Sequence, residues 1–398
     1  MKKLLFLSAV LCLFTYAASA ADTIKIGLLQ PMTGSTASEG QEAKQVVELL
    51  AAEVNAKGGV LGKQIQVITE DDAGDPRTAG LAAQKLVSQG AVAVVGTYGS
   101  SVTEPTESIF NEAGIPQIAT GSTAIRLTAK GYKTFFRTCP RDDEQAKVGA
   151  QAIQKLGFKK VAILHDNSTY AKGLASETRD QLEKMPGIKI VYFDAIVPTE
   201  SDFSTVLTKL KQAGPDVVFF TGYYQQGGLL LRQKKEMGFN VPFMGGDATN
   251  NPDLVKGAGV AAAAGFYFLS SPLPKDLPEA KPFLARYQAK YKSQLNSIYA
   301  AFAGDAFSVI VEAIKDTKGT NGAQLANYLH NNLKDFPGMT GKISFDAKGD
   351  RVAGGYRLYK VDSKGEFVLQ PEAGAAPAKP AAKPKPAAKP KPKPKPAQ

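Results

Sequence analysis

The 398-residue sequence has no tryptophan, two cysteines and two histidines. That excludes a disulfide-stapled scaffold and argues against a His/Cys metal centre. Catalytic signatures are missing as well. GGVLGK at Gly58–Lys63 resembles a phosphate loop, but Lys57 stands where the first glycine belongs and Gln64 where Ser or Thr belongs. No G-x-G-x-x-G follows the first strand candidate, and there is neither a G-x-S-x-G elbow nor an H-E-x-x-H pair. His165 and His330 lie far apart in sequence. Nothing is spaced to supply a positioned acid, base or nucleophile, so the reading is a binding protein rather than an enzyme, with no cofactor and no metal.

What is present is ordinary globular composition, 43% hydrophobic and 21% charged. At roughly 150 residues per domain, two domains are expected. The net charge of +11 is concentrated at the ends. Residues 1–20 read as a signal peptide: Lys2 and Lys3, an apolar run from Leu4 to Phe14, and Ala18-Ser19-Ala20 before cleavage. The run is too short to span a bilayer comfortably, and Leu11 before Cys12 does not fit a lipoprotein anchor. This implies export to the periplasm, with Cys139 the one cysteine left.

Residues 371–398 hold seven Lys, nine Pro and one Glu, and no apolar residue larger than Ala or Pro. Such a segment cannot bury a core and is expected to sample extended polyproline II, reaching about 80 Å. It reads as a spacer or as an arm for an anionic envelope polymer. Without the two ends, 39 basic and 36 acidic residues remain, so the body is not a nucleic-acid binder by charge.

Between the ends, short apolar runs alternate with amphipathic stretches. Strands are predicted at 24–30, 64–71, 91–96, 115–119, 160–166, 188–196, 216–221 and 241–245. Helices are predicted at 39–56, 76–89, 103–113, 142–156, 170–185, 202–213 and 225–237. This rhythm means α/β architecture, with parallel sheets covered on both faces. It restarts near residue 140, giving two doubly wound lobes. Helices at 277–292, 299–317 and 322–332, and short strands at 342–345 and 355–361, complete those lobes. The expected division is 21–140 plus 270–350 for the N-terminal lobe and 141–269 plus 351–370 for the C-terminal lobe. Multiple crossings make a hinge, and a hinge makes a cleft.

Ligands of open α/β sheets bind at the carboxyl ends of strands. There the chain carries Thr97–Ser101, Thr120–Thr123, Asn167–Tyr170, Gly222–Tyr224 and Gly246-Asp247. Hydroxyls and amides at a helix start suit a carboxylate, although Ser100 and Ser101 alone would also serve as a plain helix cap. Together the loops describe a zwitterion site. Ser100, Thr123 and backbone amides would hold a carboxylate, Asp247 an ammonium, and Tyr170 and Tyr223 would cover the side chain.

At these residues the chain resembles the periplasmic Leu/Ile/Val-binding proteins of amino-acid ABC transporters. The resemblance runs from Ile24 to about Leu358 through IKIGLLQPMTG, NAKGGVLGKQIQVITEDDAGDP, VVGTYGSSVTEP, STAIRLTAKGYKTFFRT, ILHDNSTYAKGLA, FSTVLTKLKQAGPDVVFFTGYY, LLRQKKEMGF, PFMGGDA and FDAKGD. It implies two lobes joined by a three-segment hinge that closes on a ligand, a membrane permease as partner, and a monomer. It places ligand contacts at Ser100, Gly121, Ser122, Thr123, Tyr170, Tyr223, Asp247 and Tyr299. The implied ligand is a branched-chain or other aliphatic amino acid; a relative of this fold binding urea, a short amide or an aromatic acid is the alternative, as is a sensory or envelope-associated protein that uses the tail.

Two departures stand out. Gly74 and Gly99 replace a first-lobe disulfide. Glu39, or Ser38 beside it, falls where a pocket tyrosine is expected. A carboxylate beside an apolar pocket is costly, so Glu39 is expected either to face solvent as a helix N-terminal charge or to select a polar or cationic ligand.

Overall fold

The computed structural model describes residues 23–371. The 1–20 leader, its cleavage site and the tail beyond Pro371 lie outside the described residues.

The first half builds a five-stranded parallel sheet. It contains β1 (Ile24–Gln30), β2 (Ile65–Asp71), β3 (Ala93–Val95), β4 (Gln117–Ala119) and β5 (Phe135–Arg137), in the order β2-β1-β3-β4-β5. Helices α1 (Ala37–Ala56), α2 (Pro76–Ser88), α3 (Ser100–Glu112) and α4 (Arg126–Ala129) connect the strands. The second series supplies α5 (Asp142–Lys155), β6 (Lys160–His165), α6 (Thr169–Leu182), β7 (Lys189–Ala195), α7 (Ser204–Ala213), β8 (Val217–Thr221), α8 (Tyr224–Glu236) and β9 (Phe243–Gly245). It continues with α9 (Pro252–Ala258), α10 (Val260–Ala263) and β10 (Tyr267–Ser270).

The chain then adds α11 (Lys281–Tyr291), α12 (Ile298–Thr317), α13 (Gly322–Asn331), the hairpin β11 (Phe336–Gly338) and β12 (Gly341–Ile343), then β13 (Arg357–Val361) and β14 (Phe367–Leu369). The second sheet runs β14-β13-β10-β9-β8-β6-β7. Its five strands from the βα series are parallel in the same relative order as the first sheet, and β13 and β14 extend the edge antiparallel.

Two cores follow from this pattern. Ile26 and Leu28 of β1, Val46 and Val47 of α1, and Ala303, Phe307 and Ile310 of α12 pack together, all at most 1% exposed. At about 1.5–3 kcal/mol per buried large aliphatic or aromatic side chain, such clusters are the main favourable term. Helix α12 is apolar around most of its circumference because it is enclosed by α1, α13 and the sheet. Among the described residues no helix is long and apolar enough to cross a membrane. The second core joins Leu164, Val218, Phe220, Leu230, Phe268 and Tyr359.

Residues 283–345 pack on the first core although they follow β10 of the second sheet, and β13 returns to the second. The chain therefore passes between the sheets three times, near Pro140, near Leu277 and after Arg351. Leu273 and Asp276 still pack on the second side, bonded to the Tyr359 hydroxyl at 3.0 and 2.8 Å.

The sequence reading missed α4, β5, α9, α10, β10, β11 and β14. It also began α3 at Thr103, whereas the helix starts at Ser100 with Gly99 as its N-cap residue. Its α11 begins at Lys281 rather than 277, after two short 3-10 turns that start at Pro274 and Pro278.

Candidate functional site

In both sheets the strand order reverses beside the first strand of the βα series, β1 in one and β6 in the other. The crevice lies at that reversal, beyond the carboxyl ends. The loop after β3 is drawn close to β1: at Gly96, φ is +131° and an added Cβ would lie 2.0 Å from the Leu29 carbonyl oxygen, so only glycine fits. This delivers Tyr98 and the first turn of α3 to the crevice. Ser100 is fully buried, and its hydroxyl accepts the Ala124 N–H at 3.2 Å, joining the two first-lobe loops.

The Gly121–Ala124 loop is held from below by a buried cation. Arg137 is 0% exposed, donates to the carbonyls of Ser122 and Ala124 at 2.9 Å each, and pairs with Asp350 at 2.7 Å. The Ser122 hydroxyl turns inward, toward Thr103 and the Tyr98 carbonyl, so Ser122 can serve a ligand only through its backbone. Thr123 lies against the Asp142 carboxyl.

On the second side, Ser168 caps α6 by accepting the Ala171 N–H at 3.1 Å, which sets Tyr170 in the first turn facing β9. The Tyr170 hydroxyl receives the Ala248 N–H at 3.3 Å. Asp247 follows β9, and its N–H donates to Gln145 Oε1 at 2.8 Å. The hydroxyls of Tyr170 and Tyr299 lie beside the Asp247 carboxyl, which burial raises above the ordinary range. Its Oδ1 is buried and takes no hydrogen bond.

Four tyrosines run across the crevice. Centroid distances are 4.9 Å for Tyr299–Tyr98, 6.0 Å for Tyr98–Tyr223 and 5.6 Å for Tyr223–Tyr170, so two rings from each side meet edge to face or tilted. An added Cβ on Gly121 would lie 2.6 Å from Tyr98 Cδ2 and 3.0 Å from Tyr299 Cδ1. All eight residues expected from the sequence thus border one region, around Asp247 and the tyrosine row. Tyr98, Asp142 and Gln145 belong to it too and were not singled out; Tyr98 was signalled only by following a strand.

The charge balance is one-sided. Asp142 is buried near Asp247, and burial together with the Asp247 charge holds it well above the carboxylate range. The nearest basic groups are already engaged: Arg137 and Arg141 both reach Asp350, and Arg141 also pairs with Asp143. The arrangement is suited to receive an ammonium, with helix α3 and the Gly121–Thr123 amides available to an anion.

Of the two roles expected for Glu39, the structure excludes the first. It is 2% exposed, so it is not a solvent-facing charge. Asn251 Nδ2 donates to one of its carboxyl oxygens at 2.6 Å and the Ser297 hydroxyl donates to the other. Ser38, its neighbour, bonds the Tyr224 hydroxyl at 2.8 Å. Because Asn251 caps α9 and Tyr224 opens α8, these contacts tie α1 to the second side. A further tie runs from the Thr169 N–H to Ser101 Oγ at 3.0 Å.

Comparison with known proteins agrees with this architecture. A family model described as "Periplasmic binding protein" matches residues 23–366. A Pseudomonas aeruginosa protein named "Leucine-, isoleucine-, valine-, threonine-, and alanine-binding protein" is 33% identical over 357 residues, covering 89% of this chain and 94% of the relative. The crystal structure of the branched-chain amino acid transporter substrate binding protein LivJ from Streptococcus pneumoniae, in complex with isoleucine, superposes with a TM-score of 0.80 at 32% identity, over 87% of this chain and 99% of that one. A solute binding protein from R. palustris in complex with benzoate has a TM-score of 0.78 at 22% identity, covering 87% of this chain and 95% of that one, a likeness of fold alone. With its whole described body matched and relatives a third identical along nearly their full length, the chain belongs to the periplasmic binding protein family.

Proposed function

We propose that this protein captures a small amino acid, branched-chain or otherwise aliphatic, between its lobes and delivers it to the permease of an ABC transporter. The observation that carries the reading is the Asp247 carboxylate. Its Oδ1 is buried without a donor, beside hydroxyls from both lobes, Tyr170 and Tyr299. An ammonium satisfies it. The α-carboxylate would then lie toward Ser100, Thr123 and the Gly121 and Ser122 amides, with Tyr98, Tyr170, Tyr223 and Tyr299 around the side chain. Ligand contacts that exist only with the lobes together shift the population toward the closed form.

The same reading includes the lobe division at 21–140 plus 270–350 and 141–269 plus 351–370, which the three crossings support. It includes export with cleavage after Ala20, work in the periplasm as a monomer, and no catalytic role. A carboxylate-only ligand such as an aromatic acid would leave Asp247 without a cation, which argues against it here.

A thermal-shift screen of residues 21–398 against the twenty amino acids, urea, short amides and benzoate tests the reading. A ligand at 100 times its dissociation constant adds about 2.7 kcal/mol to stability. Shifts with leucine, isoleucine or valine are expected. A shift confined to compounds without an ammonium would overturn the assignment. Deleting residues 371–398 is expected to leave uptake intact; its loss would instead make the tail part of the transport function.

A further inference from the structure

Asp142 opens α5 directly after the first passage between the lobes and is 1% exposed. The cluster around it is rich in acceptors and short of donors. Its N–H donates to the Thr123 carbonyl at 3.0 Å, which sets it against the first lobe. Gln145, one turn on, joins it to Asp247. The Gln145 amide nitrogen lies 3.4 Å from Asp142 Oδ1, and the amide oxygen accepts the Asp247 N–H at 2.8 Å. Asp142 Oδ2 is buried without a hydrogen-bond partner, as are Asp247 Oδ1 and Thr123 Oγ1. The titratable and charged groups that face the two carboxyls are Asp143 and Glu144 in the same helical turn, Arg137 and Cys139 from the segment before it, and the hydroxyls of Tyr170, Tyr223, Tyr299 and Tyr356. Arg137, the cation in this set, is committed to Asp350 and to two carbonyls. Arg141 beside it pairs with Asp143 and Asp350.

We propose that Asp142 is a positioning residue that works in its neutral form: closure of the lobes on an amino acid adds a proton from solvent to Asp142 Oδ2, and opening releases it. Neighbouring buried carboxyls do not both keep a charge unless each has a countercharge. A single ammonium answers one of them. Under the amino-acid reading above, on which this proposal rests, that one is Asp247. The charge on Asp142 would then stand alone in a site sealed from water. A proton removes the charge and turns an orphan acceptor into a donor for the Thr123 hydroxyl beside it. The start of α5 favours an ionised carboxylate, but Asp143 and Glu144 already occupy that turn. Burial, then the Asp247 charge, hold the Asp142 carboxyl well above its ordinary range, which is the same direction.

Titration calorimetry of residues 21–398 with L-leucine, in phosphate and in Tris, reads the protons exchanged, because the two buffers differ in ionisation enthalpy. Glu39 is another carboxyl buried where the lobes meet, so the measurement is repeated in Glu39→Gln. Net proton uptake at pH 8 is expected in both proteins, and less of it once Asp142→Asn is added to Glu39→Gln. Asparagine imitates the neutral acid. At pH 8.5 Asp142→Asn is therefore expected to bind leucine at least about threefold tighter than wild type. Asp142→Ala, with neither the shape nor the donor, is expected to bind more weakly at every pH. A side chain that merely packs would give weaker binding in both variants. Should Asp142→Asn fail to fold, infrared difference spectra decide: the C=O band of a protonated carboxyl is expected to appear with leucine and to persist in Glu39→Gln. Proton uptake unchanged by Asp142→Asn, an asparagine variant no tighter than wild type at pH 8.5, or no such band in Glu39→Gln would each overturn the proposal and leave the amino-acid site standing. No binding of leucine, isoleucine or valine by the folded wild-type protein would overturn the amino-acid reading, and the proposal with it.

Discussion

Glu39 and Asn251, 212 positions apart, meet across the crevice at 2.6 Å, one at the start of α1 and the other capping α9. Burial in this contact pushes the Glu39 carboxyl up to about 8, from an ordinary value of 4.5, with Glu42 and Asp253 adding like charge nearby. Separation of the lobes would return it to water. The closed form therefore holds the proton more tightly than the open form. Its advantage is full below about 4.5 and is lost as pH rises through about 8. Ligand affinity is expected to fall several-fold between pH 6 and pH 9, and Glu39→Gln to flatten that dependence. Titration calorimetry across this range checks both; an unchanged slope in Glu39→Gln would assign the titration to another group.

Asp247→Asn keeps the shape of the site but removes the charge. Hydrogen bonds to charged groups contribute about 1.5–3 kcal/mol, so amino-acid affinity is expected to fall by roughly 10- to 150-fold, with little change in stability. Affinity by calorimetry and melting temperature by scanning calorimetry separate the two effects.

Arg137→Met leaves Asp350 with one of its two cationic partners and frees the carbonyls of Ser122 and Ala124. Losing one partner of a buried pair costs about 3–5 kcal/mol. The variant is expected to melt markedly earlier and to bind ligand poorly, because the Gly121–Ala124 loop is no longer fixed. Comparison with Arg126→Met is the control, since Arg126 is more than half exposed and exposed pairs contribute little.

Gly121→Ala tests the tyrosine row. Its methyl would press on Tyr98 and Tyr299, and overpacking costs about 1–3 kcal/mol. Ligand affinity is expected to fall at least tenfold, read by calorimetry, while far-UV circular dichroism stays unchanged. Gly173→Ala, in open space on α6, is expected to be neutral in both.

Most of the fold was legible because its βα units obey a local rule: a buried apolar strand, a polar loop, an amphipathic helix. What escaped depended on distant partners. Tyr267–Ser270 pairs with β9 and β13; its aromatic residues favour a strand, but the Gly/Ala-rich run before it interrupts the strand–helix rhythm that marks the others. Ser100 and Ser101 read as loop because they are polar, yet Gly99 with extended backbone lets the helix start three residues early. In the site, the βα loops pointed to residues that the structure gathers around Asp247, but not to the direction of their side chains, as the inward-turned Ser122 shows. Glu39 was framed as solvent or pocket because its partners, Asn251 and Ser297, come from segments more than two hundred residues away.

The three passages between the sheets also set an order of assembly. Helix α12, which seals the core over β1 and α1, begins 161 residues after the first sheet is finished in sequence. A chain stopped near residue 140 holds five strands with one face covered only in part, by α1. Neither lobe is a contiguous piece that could be cut out and kept, and the first to begin is completed only after nearly all of the second has been made.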